Sequence, residues 1–397
     1  MDVAVTRDIN ELRFITKDEA NYLYSIRPVP LEYLAVSFQD ALRHCLLEYL
    51  NTPYLITHKK SIAVRLLKKK YSELGIDIKE LSTISRIKDL PTIIIYSYHQ
   101  LELLLKRVKN IGQSKSVEIP KITKDYYAQF PVLKEYVEFS EKRLSKYLYA
   151  SVIHGSCSDL ELTRFSDLDT FLVINKATVG SKKKLIEFKK YWTESLKFLY
   201  RFDSLQHHNH LIASEYDLKF FPYHWLPPQV FAESTLIYGT PTLKLKIFKS
   251  DFFNLKVFFS LAHRFRDPQI GSKIQNEYSL KNDISILSLI PVLYLQTIGF
   301  DVTKKESFNH KKILEIDSNS LYKKISEIRR QWKVSSTSVF IVSKLYNYYL
   351  RKLYIKYFIG TVELKEITHN SKIKESFVLE LKTLINKMST NIIEGNK

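Results

Sequence analysis

The residues best placed to do chemistry lie between His154 and Val173, in the segment HGSCSDLELTRFSDLDTFLV. A Gly155-Ser156 pair ends one apolar run, and Asp167 and Asp169 open the next. Side chains at i and i+2 of a strand share a face, so this spacing sets two carboxylates side by side. Adjacent carboxylates repel unless a positive charge joins them. A hard divalent cation such as Mg²⁺, which also holds phosphates, meets that need. Gly155 lets a backbone approach a phosphate closely, and Ser156 offers it a hydroxyl. A helical turn after the pair would aim N–H groups at the same anion.

The elements around these residues follow from hydropathy. Leu148 to His154 is short, apolar and β-prone, and Asp167 to Ile174 is a second strand that alternates in its first half and becomes continuously apolar. Lys182 to Tyr200 places Leu185, Phe188, Trp192, Leu196 and Leu199 on one side of a helix. His208 to Ala213 is a third strand, Ser214 to Asp217 starts a helix with a capping-box pattern, and Leu236 to Gly239 is a further short strand. Residues 148–220 thus read β-(α)-β-α-β. Helices are expected at Leu34–Leu50, Ser61–Leu74, Thr92–Val108 and Pro131–Tyr147 before this unit, with a polar linker at Lys109–Lys121. After it, Leu280–Ile298, Ser320–Lys333, Ser336–Phe358 and Lys374–Met388 have helical periodicity. The third of these crowds Tyr346, Tyr348, Tyr349, Tyr354 and Tyr357 together.

An apolar strand, Gly-Ser, a nine-residue spacer and Ser166-Asp167-Leu168-Asp169 together resemble the signature of the DNA polymerase β-like nucleotidyltransferase superfamily. The match is strongest to its minimal nucleotidyltransferase and adenylyltransferase branch, over roughly residues 148–240. The resemblance implies an α+β fold with a small mixed-sheet nucleotidyltransferase core. That core would span 148–245, between a mostly helical N-terminal region, 1–147, and a helical, basic C-terminal region, 246–397. It also implies transfer of an NMP, AMP in preference, from an NTP (ATP the expected donor) to a hydroxyl acceptor on RNA, protein or a small molecule. Asp167 and Asp169 would hold Mg²⁺ or Mn²⁺, and Gly155, Ser156 and Ser166 would hold the phosphates.

Two features depart from that pattern. Cys157, Ser158 and Asp159 stand where relatives carry arginines after Gly-Ser. The third carboxylate, expected on the next strand, is absent from Gln206-His207-His208-Asn209-His210-Leu211-Ile212. His208 or His210 is expected in its place as a general base, working near the ordinary imidazole pKa. Imidazole would favour Mn²⁺ over Mg²⁺. Asp203 or Asp217 reaching the site would instead restore three carboxylates. A catalytically weakened nucleotide-binding regulator on the same fold, or a helical nucleic-acid-binding protein, are the competing functions. A zinc site using His207, His208 and His210, with His224 as a further ligand, is a weaker reading, since no Cys-x-x-Cys or His-Glu-x-x-His accompanies them.

Composition narrows the field further. The chain has 397 residues but only nine Gly, and neither a G-x-G-x-x-G nor a G-x-x-x-x-G-K-[ST] occurs. Two cysteines, Cys45 and Cys157, cannot build a disulfide framework and suit a reducing compartment. The N-terminus lacks an apolar signal region, and the longest uncharged run, Ile284 to Phe300, is short for a membrane span of about 20 residues. A soluble, cytoplasmic protein is the expectation. The net charge of +19 is concentrated after residue 240, where 27 basic residues face 14 acidic ones. Such clustering attracts polyanions.

Overall fold

The computed structural model describes residues 30–53, 60–77, 83–109, 112–128, 130–159, 162–266, 277–317, 320–332, 351 and 375–395. The described residues form a mixed α and β structure. Helices α1 (Leu31–Asn51), α2 (Ile62–Glu73), α3 (Leu90–Arg107) and α4 (Pro131–Phe139) precede the site. The Ser61 side chain caps α2 by accepting from Val64 N, as its position before the apolar pattern suggests.

Lys109–Lys121 is more than a linker. Gln113–Glu118 is a strand, β1, paired antiparallel with β7 (Thr242–Phe248). Its sequence, QSKSVE, buries only Val117, so its own pattern carries almost no strand signal. The alternating partner TLKLKIF imposes it. Phe221–Pro222, β5, completes a three-stranded sheet in the order β1-β7-β5.

The second sheet carries the site. Its strands are β2 (Leu148–His154), β3 (Asp169–Ile174), β4 (Leu211–Ser214) and β6 (Thr235–Tyr238), in the order β4-β3-β2-β6. β2 pairs antiparallel with β3 and with β6, while β3 and β4 run parallel. The parallel pair requires a crossover, which α5 (Lys182–Phe202) supplies. Alternation along β3 divides its side chains between two cores. Leu172 and Ile174 join the larger one, which draws on helices before and after the sheet, and Phe171 and Val173 join a smaller one between the two sheets. At roughly 1.5–3 kcal/mol per buried large apolar side chain, β3 is anchored on both faces.

Helix α6 (Asp251–Arg266) leads into α7 (Glu277–Leu287) and α8 (Ile290–Thr297). Leu280–Ile298 is therefore two helices, broken at Ser288–Leu289, with Pro291 in the first turn of the second. Short turns α9 (Lys304–Ser307) and α10 (Lys311–Ile316) follow, then α11 (Leu321–Arg330) and α12 (Glu375–Gly395). The expected helix Ser336–Phe358, with its tyrosines, lies outside the described residues apart from Arg351, as does the N-terminal segment up to residue 29. No helix among the described residues is long and apolar enough to cross a membrane.

Candidate functional site

β3 begins at Asp169, and Asp167 lies in the loop just before it. The expected common strand is thus shorter by two residues, yet both carboxylates reach one imidazole. His208 Nε2 is 2.9 Å from Asp169 Oδ1 and 3.5 Å from Asp167 Oδ2. Leu168, between them, is fully buried and turns the other way.

The Gly-Ser turn sits against this pair. Gly155–Cys157 is a single 3₁₀ turn at the end of β2, and His154 pairs in register with Asp169. Gly155 has φ +69°, and a Cβ there would lie 2.7 Å from Asp169 Oδ2. Only glycine allows the backbone and this carboxylate to meet so closely. The Cys157 thiol contacts the Asp167 carbonyl at 3.2 Å, tying the turn to the acidic loop. Ser156 is half-buried beside Gly155. The Ser166 hydroxyl accepts from Thr163 N at 2.9 Å and shapes the Thr163–Ser166 turn.

The histidine segment reaches the site from a loop. Residues 206–210 precede β4, so His208 and His210 do not share a strand face. Gln206 clamps this loop to the acidic one, donating to Leu168 O at 3.0 Å and accepting from Leu168 N at 3.3 Å. Asn209 anchors the other side through Tyr200 and Asn51. The result turns His207 and His208 toward the carboxylates, with His207 Nδ1 3.4 Å from Asp167 Oδ2.

His210, expected as a candidate base, is elsewhere. It is buried, stacked on Tyr136 and edge-on to Trp192. Its Nδ1 is 2.5 Å from Thr170 Oγ1 and its Nε2 2.8 Å from Ser195 Oγ. Ser195 donates its own proton to Trp192 O, so Nε2–H donates to Ser195 and Nδ1 accepts from Thr170. Both ring nitrogens are satisfied inside the core. His224 is also remote from the cluster, 3.6 Å from Asp40 Oδ1, and Asp217 is engaged with Ser214 and Gln39.

The most informative residue is one that no local pattern marked. Lys281 of α7 is fully buried, with Nζ 2.6 Å from Asp167 Oδ1 and 2.6 Å from Asp203 Oδ2. Its aliphatic end and charge also lie over the Phe165 ring. Asp203, at the end of α5, thus comes to the site, but bridged to Asp167 by an ammonium group. Lys304 at the start of α9 and Arg329 of α11 lie in the electrostatic field of the two aspartates from the C-terminal side. A full capping box, Thr303 with Glu306, fixes the turn that carries Lys304.

These contacts set the charges. Burial would raise the Asp167 carboxyl, but Lys281, then His208 and His207, hold it well below the usual carboxylate range. Burial likewise opposes ionisation of Asp169, and the His208 hydrogen bond and charge outweigh it. Asp203 is pushed up to about 6 by burial, against Lys281. Burial would lower His208, but its bonds to both aspartates raise it well above 6.5. That direction is away from the roughly 6–7 range expected of a general base. Burial takes His207 down to about 4, His210 to about 3 and Lys304 to about 7.

As a metal site, Asp167 Oδ2, His207 Nδ1 and His208 Nε2 offer three donors within 4.8 Å of one another. Asp167 Oδ1 and Asp203 are engaged by Lys281, so three free carboxylates of the ordinary two-magnesium kind are not assembled. One ion fits the residues present. Compared with family models, curated proteins and solved structures, the chain finds no match.

Proposed function

We propose that the protein is a metal-dependent nucleotidyltransferase on a polymerase β-like core, moving an NMP, AMP in preference, from an NTP to a hydroxyl acceptor. The observation that carries this reading is the meeting of Gly155 with Asp169, inside a β4-β3-β2-β6 sheet. The His154–Asp169 pairing brings the Gly-Ser turn to the Asp-x-Asp start, and a left-handed Gly155 leaves room there for the Asp169 carboxylate. Asp167 and Asp169 would hold the ion, which supplies charge neutralisation at the reacting phosphate. The Gly155–Cys157 turn would receive the phosphate chain. Lys304 and Arg329, within the electrostatic reach of the aspartates, would balance its negative charge, the role that no arginine after Gly-Ser fills. The acceptor is left open among RNA, protein and small molecules, with the basic C-terminal region favouring an anionic one.

A specific observation favours a second reading, a nucleotide-binding regulator with weakened catalysis. Lys281 occupies Asp167 and Asp203, where a catalytic metal would otherwise sit.

Incubation with each α-labelled NTP and Mg²⁺ or Mn²⁺ separates the readings. Label on protein, RNA or a metabolite, with pyrophosphate released and both lost in Asp169→Asn, supports transfer. Metal-dependent NTP binding without pyrophosphate supports the regulator. Absence of NTP binding by the folded chain overturns both.

A further inference from the structure

We propose that Asp167, His207 and His208 form one centre for a borderline divalent ion of the zinc and cobalt class, in preference to magnesium. The proposal rests on the metal-holding role of the aspartate pair given above and specifies the ion. Geometry is the first support. Asp167 Oδ2 lies 3.4 Å from His207 Nδ1 and 3.5 Å from His208 Nε2. Ligands bonded at about 2.0–2.1 Å to one tetrahedral ion are about 3.3–3.4 Å apart. Asp169 Oδ1, 2.9 Å from His208 Nε2, stands beside this set of three donors, and the fourth position is left for water or substrate.

Donor chemistry is the second support. Two imidazole nitrogens and a carboxylate oxygen suit zinc or cobalt, whereas magnesium takes oxygen donors in an octahedron. The acid that would extend an all-oxygen shell, Asp203, is committed to Lys281.

The third support is what stands behind each ligand. His208 Nδ1 donates to Asn209 O at 3.0 Å, so an ion that displaces the Nε2 proton would find that lone pair directed at the aspartates. Metal-bound histidines are ordinarily fixed in this way through the other ring nitrogen. Lys281 holds the far oxygen of Asp167, and Gln206 holds the loop between the acids to the histidine loop. His207 Nδ1 is buried and makes no hydrogen bond. Buried imidazole nitrogens are rarely left so, and an ion at this centre satisfies it.

The test uses the full chain, stripped with a chelator and titrated with Co²⁺. One equivalent should bind with the intense visible absorption of four-coordinate cobalt. Zn²⁺ should displace it stoichiometrically, and Mg²⁺ in thousandfold excess should not. His207→Gln and His208→Gln should each weaken binding more than about tenfold, and Zn²⁺ should raise the melting temperature of the parent chain only. Equal competition by Mg²⁺, or unchanged cobalt affinity in folded His208→Gln, overturns the centre. So does the absence of ion binding, which would leave Lys281 and the His208 imidazolium as the cations that neutralise the pair. If the variants do not fold, the Zn²⁺ against Mg²⁺ competition on the parent chain decides alone. NTP binding and transfer with Mg²⁺ but no cobalt signal refutes the centre and leaves the nucleotidyltransferase reading standing. A cobalt signal without NTP binding does the reverse.

Discussion

Two pockets flank the start of β3, and each is built around histidine from one five-residue stretch. In the outer pocket, His207 and His208 face Asp167 and Asp169. In the inner pocket, His210 is closed in by Thr170, Ser195, Tyr136 and Trp192. The first concentrates charge that the chain leaves partly open, and the second pairs every polar atom of the ring inside apolar walls. The pKa values of identical side chains two positions apart are thus shifted in opposite directions. Neighbouring carboxylates raise that of His208, and burial lowers that of His210.

The comparison breaks most sharply on activity. Asp169→Asn should remove nearly all NMP transfer, whereas His210→Phe should leave turnover of the folded fraction within a few-fold, as single-turnover assays with labelled NTP would reveal. If both variants lose transfer equally, the inner pocket is part of the chemistry.

Stability comes next. A surface acidic pair would contribute little, but Asp167 is only 9% exposed and carries Lys281. Asp167→Ala should therefore cost about 3–5 kcal/mol in a denaturant melt, the usual penalty for stranding one partner of a buried ion pair. Asp169→Ala, with its side chain 28% exposed, should cost far less. A smaller loss, about 1–3 kcal/mol, is expected for His210→Phe, because Thr170 and Ser195 are left without their partner.

The gentlest difference is in pH dependence, and its sign separates the pockets. The folded pKa of His208 is raised, so its stabilisation is full below about 6.5 and fades as pH rises through the folded value. The pKa of His210 is lowered to about 3, so stability is lost as pH falls from 6.5 toward 3. His208→Gln should flatten the stability profile above pH 6.5, and His210→Gln should flatten it below. Flattening on the same side in both variants would contradict the assignment of opposite shifts.

How much of this was legible differs by element. The apolar runs of β2 and β3 and the one-sided pattern of α5 were readable because their core faces repeat with strand or helix period. β1 was not, since QSKSVE becomes a strand only through its pairing with β7. The strand expected over His208–Ala213 begins only at Leu211, because Gln206 and Asn209 pin the residues before it as a loop.

By itself, the sequence determined that two carboxylates would stand at a strand start beside a Gly-Ser turn, because backbone period and glycine's missing Cβ are local properties. Which cations answer those carboxylates was decided only in the tertiary structure. Lys281, Lys304 and Arg329 come from helices far along the chain, and none is marked by spacing or type among the 61 basic residues. A buried charge takes its partner from whatever packing brings within a few ångströms. Packing therefore chose Lys281 for Asp167 and Asp203, turned His207 and His208 outward, and closed the core around His210.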